Sequence, residues 1–475
     1  MNASRPGGPR SGAFAPLAAT RVLAALLAVL AGCTVGNDYR RPALDLPAGY
    51  RDADAPGASL AGRDWREVFT DPALRALIDQ VLAANLDLAL AEARVREAQS
   101  LVVIARSGAL PNVSVALQTS PIARLPGETI SSSFLAAGLL NWEIDLWGRI
   151  RRGTEAAEAD LAARAAARDG AQVSLVAQAA SGHFALAALR QTQAATIGST
   201  ELQRSSLRLM RRRNAAGIVS AAEVRQAEGQ LAATEALLPE ITRQIFVGEN
   251  ALALLLGRPP AAMPSVDAMW DLPPALPAGL PSELLERRPD LRQAEQQLVA
   301  ANARVGEAKA LLLPSLSITG TLGRVTTELG QLLNSAPQTV ASLGPNVVQP
   351  LYAGGALAAN RDAAIARLDQ ALIAYRAAVL SALREVADAV EAYRRGGEQF
   401  ALQQQRVVAQ REALRLADKR FAAGIVSFIE VLDAQRQLLA AETEVVNARL
   451  TRQLALLQVY RALGGGWAAP APPGS

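Results

Sequence analysis

The chain has 475 residues, half of them hydrophobic but only 4% aromatic, and its single cysteine excludes an internal disulfide bond or a cysteine-cluster metal site. The formal net charge is +4, and loss of the three arginines that precede Cys33 would leave 45 basic against 44 acidic residues. This near-neutral balance excludes the broad basic field of a nucleic-acid-binding protein. Alanine and leucine dominate the apolar content, which favours long packed helices.

Residues 1–32 have the pattern of an export signal. Arg10 and Arg21 precede the apolar run 22–31, which is too short for a comfortable membrane span. The sequence LAGC that follows resembles the bacterial lipoprotein cleavage box, with the only cysteine at the position to be lipidated. An ordinary signal peptide with an incidental cysteine is the alternative. We expect Cys33 to carry the lipid and residues 33–70 to form a Pro- and Gly-rich extended arm.

A helix is predicted from Pro72, with Asp71 as its N-cap, to about Ser107. Polar and apolar residues then alternate over 112–119, which predicts a strand, and a second strand is expected over 134–143.

The second half of the chain repeats this order. An alternating stretch begins at Ser315, and a weaker strand is expected near 340–351. Strands of about ten residues can cross a bilayer when tilted, although ordinary soluble hairpins remain an alternative. Four strands cannot close a membrane barrel, so a chain that inserts them in a membrane must oligomerise.

Each strand pair is followed by a very long helix, predicted over about 149–213 and 355–421. The helices that return from these are shorter and carry heptad patterns, with a kink expected at Pro239.

The phrase AAGIVSxxEV follows both long helices, and its two copies lie 207 positions apart. Glycine permits the left-handed turn that ends the incoming helix, so we predict two helical hairpins with tips at Gly217 and Gly424. Serine and glutamate three residues apart are typical of a capping box, which is predicted at Ser220–Glu223 and at Ser427–Glu430.

The predicted organisation is two repeats, 71–257 and 282–466, joined by a Pro-rich linker at 258–281 and followed by a disordered tail at 467–475. Each repeat comprises a helix, a β-hairpin, a long helix, a tip and a returning helix. The hairpins are placed at 112–143 and 315–351, and the tips at 214–220 and 421–427.

Several longer phrases resemble one known family, the TolC-like outer membrane factors, in particular the NodT-type efflux lipoproteins. The phrases are LAGC at 30–33, DYRRP at 38–42, WEIDLWGRIRR at 142–152, the stretch LLERRPDLRQAEQQLVAANARVGEAKA at 284–310, VLDAQRQL at 431–438 and ALGGGW at 462–467. The resemblance implies a mainly α fold with a membrane β-barrel part. It also implies a homotrimer whose twelve-stranded barrel in the Gram-negative outer membrane continues into a periplasmic α-helical barrel.

The resemblance implies a periplasmic adaptor and an inner-membrane pump of the RND type as partners. We predict that the tips contact the adaptor through Gly217, Ile218, Val219, Ser220, Gly424, Ile425, Val426 and Ser427. The exposed Ile-Val pair of each turn otherwise lacks a purpose.

The resemblance further implies that Glu430 and Asp433 line the constriction at the periplasmic end. These two acids share a helix face, and three chains would bring six carboxylates into one ring. The first repeat has Gln226 where the second has Asp433, so we assign the moving part to the second repeat, with Arg420 or Arg436 as possible interchain partners. Alternatively, Glu430 only caps its helix and Asp433 is a solvated charge.

Enzymatic chemistry is not expected, because the sequence has no phosphate loop, metal-ligand spacing or nucleophile triad. The single histidine, His183, lies in the long helix and is expected either to pack between helices or to lie on the surface. Arg211–Arg213 are expected to form a solvated basic face. Trp147 is expected to pack, whereas Trp142 could pack or mark a membrane interface. No cofactor is expected beyond the covalent lipid on Cys33.

The sequence therefore predicts a passive exit duct of a tripartite efflux system. The alternatives are a type I secretion duct and a structural coiled-coil lipoprotein without a pore.

Overall fold

The computed structural model describes residues 34–47, 49, 65–122, 131–263, 284–326 and 338–465. The predicted signal, the lipidation site Cys33, most of the linker and the predicted tail lie outside these ranges.

The described chain contains fourteen helices and strands, and their bounds locate every site discussed below. They are α1 (Trp65–Val68), α2 (Pro72–Ala84), α3 (Leu86–Ser107), β1 (Asn112–Ile122), β2 (Ser131–Ile144), α4 (Arg149–Ala215), α5 (Ala221–Glu235), α6 (Leu237–Leu255), α7 (Leu284–Arg287), α8 (Pro289–Ala310), β3 (Ser315–Thr326), β4 (Gln338–Val348), α9 (Ala356–Ala422) and α10 (Phe428–Ala462). None of the helices in the described ranges is long and apolar enough to cross a membrane.

The four strands form one antiparallel sheet in the order β1-β2-β3-β4. The central pairing joins the two halves of the chain, since Gly138 of β2 pairs with Val115 of β1 on one side and with Leu322 of β3 on the other. The sheet lies in a compact unit whose described part comes from residues 34–41, 98–122, 131–161, 297–326 and 338–372. All four predicted strands are confirmed, although the fourth ends at Val348 and not near residue 351.

Strand β1 is exposed on both faces in the single chain. Its apolar side chains Val113, Val115 and Leu117 are 73%, 82% and 80% exposed in the single chain. Exposed apolar side chains along a strand are typical of the lipid-facing surface of a membrane barrel.

The second compact unit, formed by Pro42–Glu97, Ala162–Gln296 and Ile373–Ser475, is helical in its described part. Its core combines a few large side chains with many alanines. Trp65 and Phe69 are buried, and the Phe69 ring lies edge-on to Tyr460 with 5.6 Å between centroids. Small side chains elsewhere, such as Ala179 and Ala180, let helices approach closely.

The first predicted helix is interrupted, contrary to the expectation of one continuous helix to Ser107. Asn85 ends α2 with an extended backbone and accepts hydrogen bonds from the amides of Asp87 and Leu88, so it caps α3. Its amide nitrogen donates to the carbonyl of Leu255, 3.0 Å away. A buried asparagine that bonds neighbouring amides competes with a continuous helix, which explains the break.

The kink expected at Pro239 occurs one turn earlier, at Ala236, between α5 and α6. Proline has no amide hydrogen for the carbonyl four residues before it, here that of Glu235, and the ring crowds that carbonyl. The helix therefore ends at Glu235 and restarts with the proline inside the first turn.

Candidate functional site

Both hairpin tips have the turn that the duplicated phrase predicts. Gly217 and Gly424 have φ angles of 77° and 72°. The amide of Ile218 donates to the carbonyl of Arg213, and that of Ile425 donates to the carbonyl of Arg420, both at 2.9 Å. These bonds span five residues and satisfy carbonyls that the helix end would leave free.

Each tip exposes one branched apolar side chain. Ile218 is 70% exposed and Ile425 is 69% exposed, which fits the predicted contact surface. Val219 differs from the prediction, because it is half-buried and packs against the core beneath the tips; Val426 is also half-buried. Each tip therefore presents isoleucine outward and turns valine inward.

A hydrophobic core beneath the tips joins the two hairpins. Its buried members come from α4, α5, α9 and α10, and are Leu207, Met210, Ala227, Leu414, Ala417, Phe428 and Val431. The rings of Phe421 and Phe428 pack with centroids 5.2 Å apart, and the guanidinium of Arg213 lies 4.9 Å from the Phe421 ring centroid. One member of the predicted basic run thus has an aromatic partner in the other hairpin.

The two predicted capping boxes have different outcomes. The first is confirmed, because the Ser220 hydroxyl accepts from the Glu223 amide and the Glu223 carboxylate accepts from the Ser220 amide at 2.8 Å. The second is wrong, because the Ser427 side chain makes no capping hydrogen bond. The Glu430 carboxylate instead accepts from the Arg420 guanidinium, 3.2 Å away across the turn.

The residues around the two caps differ, and one difference changes the partners of the preceding arginine. The residue after Arg213 is Asn214, which donates to the Val219 carbonyl at 2.8 Å, whereas the residue after Arg420 is Phe421. Phe421 engages Arg213 of the first hairpin, while the equivalent Arg420 remains available to Glu430.

The two proposed gate acids lie half-exposed at the start of α10. Glu430 pairs with Arg420, and Asp433 pairs with Arg436 one turn further along the helix. The arginines that the sequence suggested as interchain partners thus contact these acids within one chain. Since Glu430 is not held in a capping box, its carboxylate is free of that structural role.

His183 is buried in α4 and contacts the N-cap of α2. Its Nε2 lies 3.0 Å from the Asp71 carboxylate, which also accepts from the Ala73 amide at 2.9 Å. Burial lowers the pKa of His183 from its ordinary 6.5, opposed by the hydrogen bond to Asp71. This is the packing role, one of the two that the sequence predicted.

We expect acid to destabilise the native protein through His183. Because its folded pKa is lowered, the unfolded chain binds a proton more readily, so the stabilisation is present above about pH 6.5 and is lost as pH falls through the folded pKa. His183→Gln should reduce the fall in melting temperature between pH 8 and pH 5 by roughly 2 °C in calorimetry. An identical pH profile in wild type and variant would contradict this assignment.

Both tryptophans near the end of β2 donate to backbone carbonyls. Trp147 Nε1 bonds the Pro314 carbonyl at 2.7 Å, and Trp142 Nε1 bonds the Ala109 carbonyl at 2.9 Å. Trp147 therefore packs at the junction of strands and helices, as predicted, and the indole of Trp142 is also fixed by hydrogen bonding.

Sequence reasoning did not assign a role to Arg288, which lies within the RRPDL phrase. Its buried guanidinium donates to Asp290 and Glu385, both at 2.7 Å, and to the Ala462 carbonyl at 2.9 Å. It links α8, α9 and the end of α10, so its partners lie far apart in sequence. Removing one partner of such a buried ionic group strongly destabilises a fold.

A sheet whose edge strands β1 and β4 lack a second partner within the described residues, together with two long helices ending in exposed tips, defines a class of protein. It is a channel built from several copies of one chain.

The family model described as outer membrane efflux protein matches residues 77–258 and 280–465. The chain belongs to this family. It is 32% identical over 461 residues to the probable efflux pump outer membrane protein TtgC of Pseudomonas putida, which covers 94% of this chain and 95% of that protein.

Solved structures give the same assignment. The outer-membrane channel OprN matches with a TM-score of 0.83 at 33% identity, over 92% of this chain and all of that one. The open state of the MtrE channel of Neisseria gonorrhoeae matches with a TM-score of 0.81 at 31% identity, over 91% and 98%. The protein is a trimeric outer-membrane exit duct of an efflux pump, with a long periplasmic helical portion.

Proposed function

We propose that this duct serves a tripartite machine whose inner-membrane pump is of the RND type and whose periplasmic adaptor docks on the tips. The observation that supports adaptor docking is the exposure of Ile218 and Ile425 on two turns of the same geometry. Three chains would present six such turns. An apolar side chain held outward on a rigid turn is a suitable anchor for a partner's apolar pocket.

In this proposal the duct conducts its substrates passively. The proposed work of the tip acids, Glu430 and Asp433, is electrostatic: a ring of carboxylates attracts cations and repels itself when they are absent.

The pump class can be tested by reconstitution. Cells that lack their own outer-membrane ducts should regain drug resistance when this chain is expressed with an RND pump and its adaptor. When the chain is expressed with the adaptor and transporter of a type I secretion system, we expect that protein export is not restored. Restoration of export but not of resistance would favour the secretion alternative.

We also propose that Cys33 carries the lipid. Cys33→Ser should abolish acylation, as seen by mass spectrometry of the N-terminal peptide. The trimer should nevertheless remain in the outer-membrane fraction, because the strands of three chains hold it there. A soluble periplasmic variant would contradict the membrane role of the strands, and an acylated one would contradict the lipid site.

A further inference from the structure

The arm that follows Cys33 is bound tightly to its own compact unit. The Val35 amide donates to the Trp147 carbonyl at 2.9 Å. The Arg152 guanidinium donates to the carbonyls of Val35 and Gly36 at 3.3 and 3.1 Å, and to the Asp38 carboxylate at 2.8 Å. Three residues of the arm, Val35, Gly36 and Asp38, are thus fixed by residues 147–152 at the start of α4.

The opposite side of the arm lies against α8. Gly36 has a φ of 100°, and a Cβ there would lie 2.7 Å from the Gly306 Cα, so only two glycines permit this approach. The Asn302 side chain donates to the Asn37 carbonyl at 2.9 Å. The arm therefore contacts α8 mainly through its backbone and not through large side chains.

Arg152 depends on the arm for its hydrogen bonds. Its side chain is only 6% exposed, and outside the arm it pairs with Glu155 at 2.7 Å. A buried guanidinium is costly unless most of its donors are satisfied. The arm supplies two carbonyls and a carboxylate, so its departure would break three hydrogen bonds to a charged group and replace them with bonds to water.

We propose that Trp147, Arg152, Asn302 and Gly306 form a dock, here called the arm dock, that binds residues 34–38 and so positions the lipid anchor. Cys33 is one residue from Thr34, and adjacent Cα atoms lie about 3.8 Å apart. The dock therefore keeps the acyl chains close to the junction of β2 and α4. If the arm were not docked, the acyl chains could move away from this junction. This last step rests on the proposed lipidation of Cys33; the docking itself does not.

The dock can be tested with a thiol probe because the chain has one cysteine. A Cys33→Ser chain exported by an ordinary signal peptide is cysteine-free, and Val35→Cys then places a single half-buried thiol on the arm. Adding Arg152→Ala should increase the rate at which a membrane-impermeant maleimide labels this thiol about tenfold or more. The reason is that the hydrogen bonds from the charged Arg152 side chain oppose local opening of the arm.

Neighbouring positions provide controls. Arg151→Ala, which removes an exposed arginine paired with Asp145, should leave the Val35→Cys labelling rate unchanged. Thr34→Cys is exposed and should label rapidly in every background. Gly36→Val changes only the arm, cannot easily adopt a φ of 100°, and should accelerate labelling even if Arg152→Ala fails to fold.

Trimer melting temperature shows whether each variant is folded. Equal labelling rates at Val35→Cys and Thr34→Cys in the unaltered dock would overturn the proposal, as would unchanged Val35→Cys labelling in folded Arg152→Ala and Gly36→Val chains. Since the labelled chains carry no lipid, a failure of the dock is distinguishable from a failure of lipidation, which the mass of the wild-type N-terminal peptide decides.

Discussion

Trimers with Glu430→Ala and Asp433→Ala are expected to lose cation selectivity and most of their block by divalent cations. If the proposed gate is right, two acids per chain and three chains would give a ring of six carboxylates, and removing the acids would also leave Arg420 and Arg436 without these partners. Even in water, one carboxylate attracts a unit cation about 4 Å away with about 1 kcal/mol. Loss of several such charges should therefore raise the magnesium concentration for half-block about tenfold or more. Single-channel recording in planar bilayers, with and without magnesium, measures both effects.

A matched control removes the same charge elsewhere. Asp388 and Glu391 are also surface acids paired with arginines, Arg384 and Arg394, but they lie at least 30 residues before the second tip. Asp388→Ala with Glu391→Ala should leave magnesium block close to wild type. If the tip double variant and this control behave alike, the gate assignment fails and the tip acids are ordinary surface charges.

Tryptophan at both Gly217 and Gly424 should abolish drug efflux while the trimer still assembles. A Cβ at either glycine meets no atom within 4 Å, so the indole would project outward onto the proposed adaptor surface. The positive φ adds strain of about 1–2 kcal/mol per turn. Resistance in a duct-deficient strain should fall to the level of the empty vector.

Two further substitutions separate strain from bulk. Asparagine tolerates the left-handed conformation, so Gly217→Asn with Gly424→Asn should retain most resistance. Alanine introduces strain with little volume, and should give an intermediate result. Wild-type resistance in the double tryptophan variant, with normal trimer levels, would remove the tips from the adaptor interface.

The sequence predicted the repeated architecture because its signals are local. Alternation in 112–119 and the duplicated glycines at 217 and 424 depend on neighbouring residues alone, and the strands and turns formed there. The break at Asn85 was missed because its side chain bonds Leu255, 170 residues away. The hydrogen bonds from the amides of Asp87 and Leu88 to Asn85 are local. An asparagine at position 85 inside the predicted helix was therefore the one sequence signal of the break.

The sequence predicted where the two hairpin tips lie, but not which hydrogen bonds and ion pairs their side chains form. Identical Ser-x-x-Glu spacing predicted two equal caps, yet Arg420 attracts Glu430 in the second copy. In addition, Phe421 of the second copy contacts Arg213 of the other hairpin, so the two equivalent arginines have different partners. Contacts between the repeats affect which residues pair within each tip. The spacing of residues within one repeat does not predict such contacts. Arg152 and Arg288 were missed because most of their partners lie at least 97 residues away in sequence.

The two long helices, α4 and α9, each have 67 residues and occupy positions offset by 207. At 1.5 Å per residue, each is about 100 Å long. Loss of seven residues from α9 alone would shorten it by about 10 Å relative to α4, or two turns. The tip core needs Met210 of one helix beside Leu414 of the other, so a length change in one repeat must be matched in its twin. We therefore expect that an insertion in one long helix of a related duct is accompanied by an insertion of similar length in the other.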